Sequence, residues 1–481
     1  MYSLLVLALT VVAADAAPQD EPRNTISFPN TQHYIRVADD GDAGMSEMSQ
    51  DDMDSMPGMR NKNSMPGMSG NSMGGMSGMG GMSGMGGMGG MNMAGMAGMQ
   101  GMSVPEMAMG RMGFMNVMGS RAMPGLLMRP WTPANGMYDG RFSVSGWSDG
   151  SFTGSTADQS NLPMGFNYKA NQFLLQQNWL RIDRRIDEQA DSASFGFRSD
   201  WVLPGSDYRF FLPRGIFNSQ LTANNGNPNT YGIDPIHFYT EAYLPNVAQG
   251  MDIKFGRWCM IHGVEMNEAT MNLLASHSYT YIADPFTHTG LLTTTRLSQQ
   301  VVVQAAITTG SDIFVGPGSN ATFVGGVKWF SRSQRTSLSF NTVLGSGRYN
   351  QALAFDNRNL FDVVLRQQIR EKTFYTLEGL YGYETNVTNL GTAKWFGVVQ
   401  YLTYNWTDKL APTARLEFFD DINGERTGFV GLYTALTTGI RYQPTKWFTF
   451  RPEVRYDNSN SRAFENKHGL FTTTMDAIVY W

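Results

Sequence analysis

The sequence predicts an all-β fold, a transmembrane antiparallel β-barrel of about sixteen strands (roughly 12–18), with a disordered N-terminal segment. Three observations carry this expectation. Phe471–Trp481 is one uninterrupted, apolar-leaning strand. Hairpin-like units precede it, and their connections alternate between short and long. No stretch approaches the roughly 18 apolar residues of a membrane helix, so a chain that spans a bilayer must do so as a closed barrel.

Composition agrees. Across 481 residues there are 53 glycines, 12% aromatics and only 16% charged residues, with mean hydropathy −0.28. Such values suit strands that show rings to lipid on one face and polar groups to water on the other. A net charge of −5 provides no field for phosphates, so nucleic acid is not an expected partner. Cys259 is the single cysteine, which rules out an intrachain disulfide and any multi-cysteine metal centre, and it reads as an inert thiol.

Residues 1–16 read as a signal peptide: Leu4 to Ala14 is too short to span, and Ala14-Asp15-Ala16 supplies small residues for cleavage. Residues 17–128 form a low-complexity segment rich in Gly and Met. Twenty-five of the 33 methionines lie between Met45 and Met128. Met73, Met76, Met79, Met82, Met85, Met88 and Met91 recur every third residue, mostly with Gly between them. That composition lacks the apolar bulk to offset chain entropy, so the segment should be disordered. Soft thioethers at this spacing point to Cu(I) or Ag(I) as ligands. The competing readings are an oxidant sink through sulfoxide formation and a tether without specific role.

Residues 129–481 make the barrel. Weaker strands fall near Gly140–Phe152, Gln172–Ile182, Ser192–Leu203, Ile236–Leu244 and Met251–Trp258, followed by Thr289–Leu297 and nine more. Tight turns are expected at Ser298-Gln299, Ser331–Arg335, Glu371, Trp406–Lys409 and Tyr442–Lys446. Long loops are expected at Gly310–Ala321, Gly345–Asn359, Glu384–Lys394, Asp420–Phe429 and Asp457–Leu470. An even strand number places both termini on the periplasmic side.

Two-residue alternation separates lumen from lipid. In Trp447–Asp457 the set Phe448, Phe450, Pro452, Val454 and Tyr456 opposes Arg451, Glu453, Arg455 and Asp457, and charge cannot face hydrocarbon cheaply. The same split makes Arg198, Asp200, Arg296, Lys328, Asp362, Arg366, Arg370, Glu378, Arg415 and Glu417 pore-lining. For any one of them the alternative is a wall salt bridge without effect on transport. The loop Met260–His288 is the candidate constriction, third at the long-loop rim. Its Glu265, Glu268 and Asp284 could lend cation selectivity. Its His262, His277 and His288 lack metal-site spacing and suit packing or hydrogen bonding within the loop. No nucleophile elbow, phosphate loop or catalytic carboxylate pair is present, and no enzyme is expected.

Several separated pieces, in order, resemble the β-barrel porin-2 (OmpL-like) family. They are Leu162-Pro163-Met164-Gly165-Phe166-Asn167, Asn171-Gln172-Phe173, Trp179-Leu180, Lys254-Phe255-Gly256-Arg257, His262-Gly263-Val264-Glu265, Ser276-His277-Ser278-Tyr279 and Pro285-Phe286-Thr287-His288-Thr289-Gly290. The resemblance runs from about residue 140 to the end and implies an outer-membrane porin of a diderm bacterium, with no substrate implied. The methionine segment resembles instead the N-terminal M-x-G-M repeats of outer-membrane copper-resistance proteins. It departs from them in having no His from Ala38 to Met128, which favours Cu(I) over Cu(II).

Three functions follow as expectations: a diffusion porin for small hydrophilic solutes or ions, a barrel specialised for copper or silver handling, and a structural or adhesive barrel. No cofactor is required beyond Cu(I) or Ag(I) on the tail. Expected partners are outer-membrane lipid, the barrel-assembly machinery, the solutes themselves and, as for many porins, two further copies in a homotrimer.

Overall fold

The computed structural model describes residues 141–188, 190–211, 216–314, 321–345, 348–349, 355–387 and 389–481. The expected signal peptide and methionine segment, Met73 to Met91 included, lie outside the described residues.

Seventeen strands follow one another: β1 Phe142–Ser155, β2 Gln172–Arg184, β3 Ser194–Gly205, β4 Gly232–Leu244, β5 Met251–Cys259, β6 Thr287–Arg296, β7 Val301–Ser311, β8 Thr322–Phe330, β9 Thr336–Leu344, β10 Arg348–Tyr349, β11 Phe355–Arg370, β12 Thr373–Val387, β13 Gly391–Tyr404, β14 Leu410–Asp421, β15 Gly431–Thr445, β16 Phe448–Ser459 and β17 Gly469–Tyr480. The two-residue β10 pairs only with β11, so sixteen strands make the wall, and β9 pairs directly with β11. Each wall strand pairs antiparallel with its sequence neighbour, and β17 pairs with β1 from Trp147↔Tyr480 to Ser155↔Thr472. The sheet is closed, so no edge is left in lipid.

Closure depends on a glycine. Gly146 and Trp481 exchange backbone hydrogen bonds of 2.8 and 2.9 Å. A Cβ on Gly146 would sit 2.2 Å from the Trp179 carbonyl and 2.4 Å from the Trp481 ring. A side chain there would push the seam apart.

The alternation is that of a membrane barrel. On β17, Phe471, Met475 and Val479 are exposed while Thr472, Thr474, Asp476 and Ile478 are buried. Outward residues meet across strands, as in Leu338↔Leu365↔Leu377 and Phe340↔Val363. Phe195, Phe255 and Ile307 are each more than 60% exposed, a loss of apolar burial that only a lipid surround offsets. The inward face carries more than charge. Toward the long-loop rim Trp258, Leu292, Ala306, Val324, Val343, Leu360, Leu380, Trp395 and Phe419 belong to one apolar cluster. Trp147, Trp179, Val202 and Ile236 belong to a second. Apolar side chains thus share the inward face with charge, and the loops pack on them.

The long-loop rim carries residues 156–171 (L1), 206–231 (L2) and 260–286 (L3), then shorter links. One expectation is corrected here: Glu384–Lys394 is not a long loop, because β12 and β13 run on to Val387 and from Gly391. These strand tips still pair, Glu384 with Ala393 and Val387 with Gly391.

Candidate functional site

L3 is the element that positions the site. Its base closes where Met260 N donates to the Phe286 carbonyl at 3.0 Å, and from there it turns into the lumen. Within it lie a 3₁₀ turn, Ala269–Met271, and one short helix, α1 Tyr279–Ala283, capped by Ser278 Oγ accepting from Tyr281 N. Neither is long enough to hold shape alone. The wall holds it.

The first leg of L3 is fixed by β8, β11 and β12. Lys328 Nζ donates to the Ile261 carbonyl and Arg366 Nη2 to that of Gly263, each at 3.3 Å. Gly263 N donates to Asp362 Oδ1 at 3.2 Å and Val264 N to Glu378 Oε2 at 3.0 Å. Gly263 has φ +78°, and a Cβ there would stand 3.2 Å from Asp284 Oδ2. Both facts favour glycine.

The far side of L3 is fixed by β14 and β16. Arg451 Nη1 donates to the Ala269 and Asn272 carbonyls, both at 2.8 Å, while Arg451 pairs with Asp476. Glu453 accepts from Ala275 N at 2.8 Å and Ser276 N at 3.2 Å. Arg415 donates to the Ser276 carbonyl at 2.7 Å, Arg455 to that of His277 at 2.5 Å, and Glu417 accepts from Tyr279 N at 2.7 Å. The Tyr279 hydroxyl reaches Asp457 at 2.9 Å. Buried backbone groups of an irregular loop need partners, and the charged wall supplies them.

Two loop carboxylates return the grip. Glu265 accepts from Arg415 Nη1 and the Tyr401 hydroxyl, each at 2.7 Å, and lies 2.8 Å from His277 Nδ1. Burial alone would raise its pKa, but Arg415, then His277 and Tyr401, hold it down at about 2. Glu268 stands 2.8 Å from Arg198 and 3.3 Å from Arg181, with His237 Nε2 at 3.4 Å. Against the same upward push of burial, His237, Arg198 and Arg181 hold it at about 2. Asp200 ties Arg181 and Arg198 together at 2.7 and 2.6 Å.

The structure thus brings Arg198, Asp200, Lys328, Asp362, Arg366, Glu378, Arg415, Glu417, Arg451, Glu453 and Arg455 to L3 or to its immediate partners. Arg296 and Arg370 stand apart. Arg296 is half-buried at the short-turn end of β6, and Arg370 is exposed beyond a register shift between Gln368 and Arg370 that breaks the alternation. His288 is in β6 rather than in L3, packed 5.1 Å from Trp258. His277 stacks on Tyr281 at 4.3 Å. His262 and Asp284 are buried 3.8 Å apart, close to Asp362 and Glu378. Burial first, then His288 and Lys328, push His262 down to about 3, while burial, Glu378 and Asp362 push Asp284 up.

Sequence reasoning passed over Arg181, Gln177, Tyr401, Arg441 and Asp476. Arg181 and Gln177 share their face of β2 with Trp179, and that buried tryptophan masked the alternation. Gln177 accepts from Ala269 N at 3.1 Å and donates to the Asn267 carbonyl at 2.8 Å.

Among the described residues one trio could in geometry hold a metal ion: the donor atoms of His237, Cys259 and Glu268 lie within 4.8 Å of one another. Two guanidiniums already hold Glu268, so a cation there would meet positive charge.

The sequence pattern of one family, described as "Putative beta-barrel porin-2, OmpL-like", matches residues 141–480. Among solved structures, the outer-membrane channel DcaP of Acinetobacter baumannii is similar at 11% identity and TM-score 0.48, over 71% of this chain and 97% of that one. OprB of Pseudomonas putida gives 10% and 0.48, over 71% and 94%. OmpT, an outer-membrane protein of Vibrio cholerae, gives 10% and 0.47, over 71% and 97%. Among curated proteins, none matches the sequence.

Proposed function

The chain belongs to the beta-barrel porin-2, OmpL-like family of outer-membrane barrels, and from that premise we propose that it is a diffusion channel for small hydrophilic solutes or ions, narrowed by L3. The observation that carries the reading is the placement of L3. A 27-residue loop rooted between β5 and β6 lies inside the lumen and is bonded in turn to β8, β11, β12, β14 and β16, an arc that reaches the part of the wall opposite its root. Such a cross-brace narrows a wide barrel without closing it and sets which solutes pass.

The test is conductance of the purified, heat-modifiable protein in planar bilayers. Ohmic single-channel steps are expected. A correctly assembled barrel that adds no conductance would support the structural or adhesive reading instead.

The tail extends the proposal. Thioethers spaced as Met73, Met76, Met79, Met82, Met85, Met88 and Met91 are suited to several weak, exchangeable Cu(I) or Ag(I) sites on the periplasmic side of the barrel. Titration of a peptide covering Asn71–Met102 with Ag(I) should shift the methionine methyl signals, while Zn(II) should not. Unmoved signals would remove the metal from the account.

A further inference from the structure

We propose that the channel selects small anionic solutes, bearing carboxylate or phosphate, at a vestibule on the short-turn side of L3; this rests on the channel reading above. The vestibule is a partly open cavity of about 100 Å³ between L3 and the wall. Its wall residues are Lys328, Ser339, Arg366, Thr376, Tyr401 and Arg441. Three of these six are cations, from β8, β11 and β15, and none of the three makes an ion pair among the described residues.

The charge balance decides the sign. Lys328 and Arg366 each spend one donor on a neutral loop carbonyl, and neither has a carboxylate within 4 Å among the described residues. Arg441 is buried in the wall of the vestibule. The acids nearest Arg366, Asp362 and Glu378, are not among the lining residues; their carboxylates turn into L3 to accept from Gly263 N and Val264 N. Glu265 is the one acid of the lining, and Arg415 at 2.7 Å neutralises it. The Ser339 and Thr376 hydroxyls add neutral polar groups. Of the L3 carboxylates that promise cation selectivity in the sequence, Glu265 and Glu268 are paired with guanidiniums and Asp284 is buried outside the lining, so the charge left facing the solute path is positive.

Reversal potentials under a KCl gradient test this on the full-length protein. The expected sign is that of a chloride-preferring channel. Replacing Lys328→Gln and Arg441→Gln together keeps hydrogen-bonding capacity and removes two charges. At about 8 Å in a water-like dielectric each charge is worth roughly a twofold change in anion occupancy, so the chloride preference should fall about fourfold. Succinate or phosphate should reduce chloride current in the parent more than in the variant. A cation-preferring parent, or a double variant that assembles with unchanged preference, would overturn the selectivity while leaving the channel standing. Assembled protein without any conductance would overturn the channel reading itself.

Discussion

Two sectors of the same wall use their inward faces differently. In β14, β16 and β17 the lumen side carries Arg415, Glu417, Arg451, Glu453, Arg455, Asp457 and Asp476, all buried. In β6–β9 it carries Leu292, Thr294, Val302, Gln304, Ala306, Val324, Ser339, Asn341 and Val343, with Arg296 and Lys328 the charges, both at the short-turn end. The first sector bonds to L3 through six of its seven charged residues directly. In the second, only Lys328 does so. Between these two sectors, inward charge is concentrated where L3 is docked. An ion that moved through the first sector would have to compete with bonds already made.

The largest expected effect is in the gripping sector. Arg451→Ala strips two loop carbonyls of their donor and leaves Asp476 buried without its guanidinium, a loss of about 3–5 kcal/mol. The unfolding midpoint should drop and L3 should become cleavable by protease. Gly263→Ala comes next: the positive φ and the 3.2 Å approach to Asp284 cost on the order of 1–3 kcal/mol, felt mainly in the first leg of L3. Its signature would be noisier single-channel current with the melting temperature little changed.

A smaller effect follows from pH. The folded pKa of Glu265, about 2, lies below its ordinary 4.5, so its contribution is complete above 4.5 and is lost as pH falls toward 2. The stability difference between the parent and Glu265→Gln should be flat above that value and shrink below it. A difference that grew on acidification would contradict the ion pair with Arg415. Least of all should Gln304→Leu matter. It removes a 3.1 Å bond to Thr294 in the quiet sector, worth about 1 kcal/mol, and should leave conductance unchanged.

Strands such as β16 and β17 are legible in sequence because lipid on one side and polar partners on the other impose a strict two-residue alternation. The signal fades where that contrast does. At Thr385–Val387 and Gly391-Thr392 polar residues mimic a loop, yet the β12–β13 tips continue to pair, since strands lying beyond the lipid have water on both faces and no reason to alternate. On β2 the contrast is lost the other way, with Trp179 and Arg181 both turned inward. The third-loop position of L3 follows from counting connections. Which wall charges it consumes does not, because partners such as Glu265 and Arg415 are 150 residues apart and meet only once the loop has folded inward. Arg370 fails for a local reason, a register shift one residue before it.

The claim that L3 is held across the lumen by wall charge is tested most directly by the unit conductance of an Arg415→Ala, Arg455→Ala double variant. Both guanidiniums donate to consecutive carbonyls of L3, those of Ser276 and His277. Their joint removal should free that side of the loop and give an assembled barrel with larger, more variable conductance steps than the parent. Steps of unchanged size from an assembled double variant would contradict it.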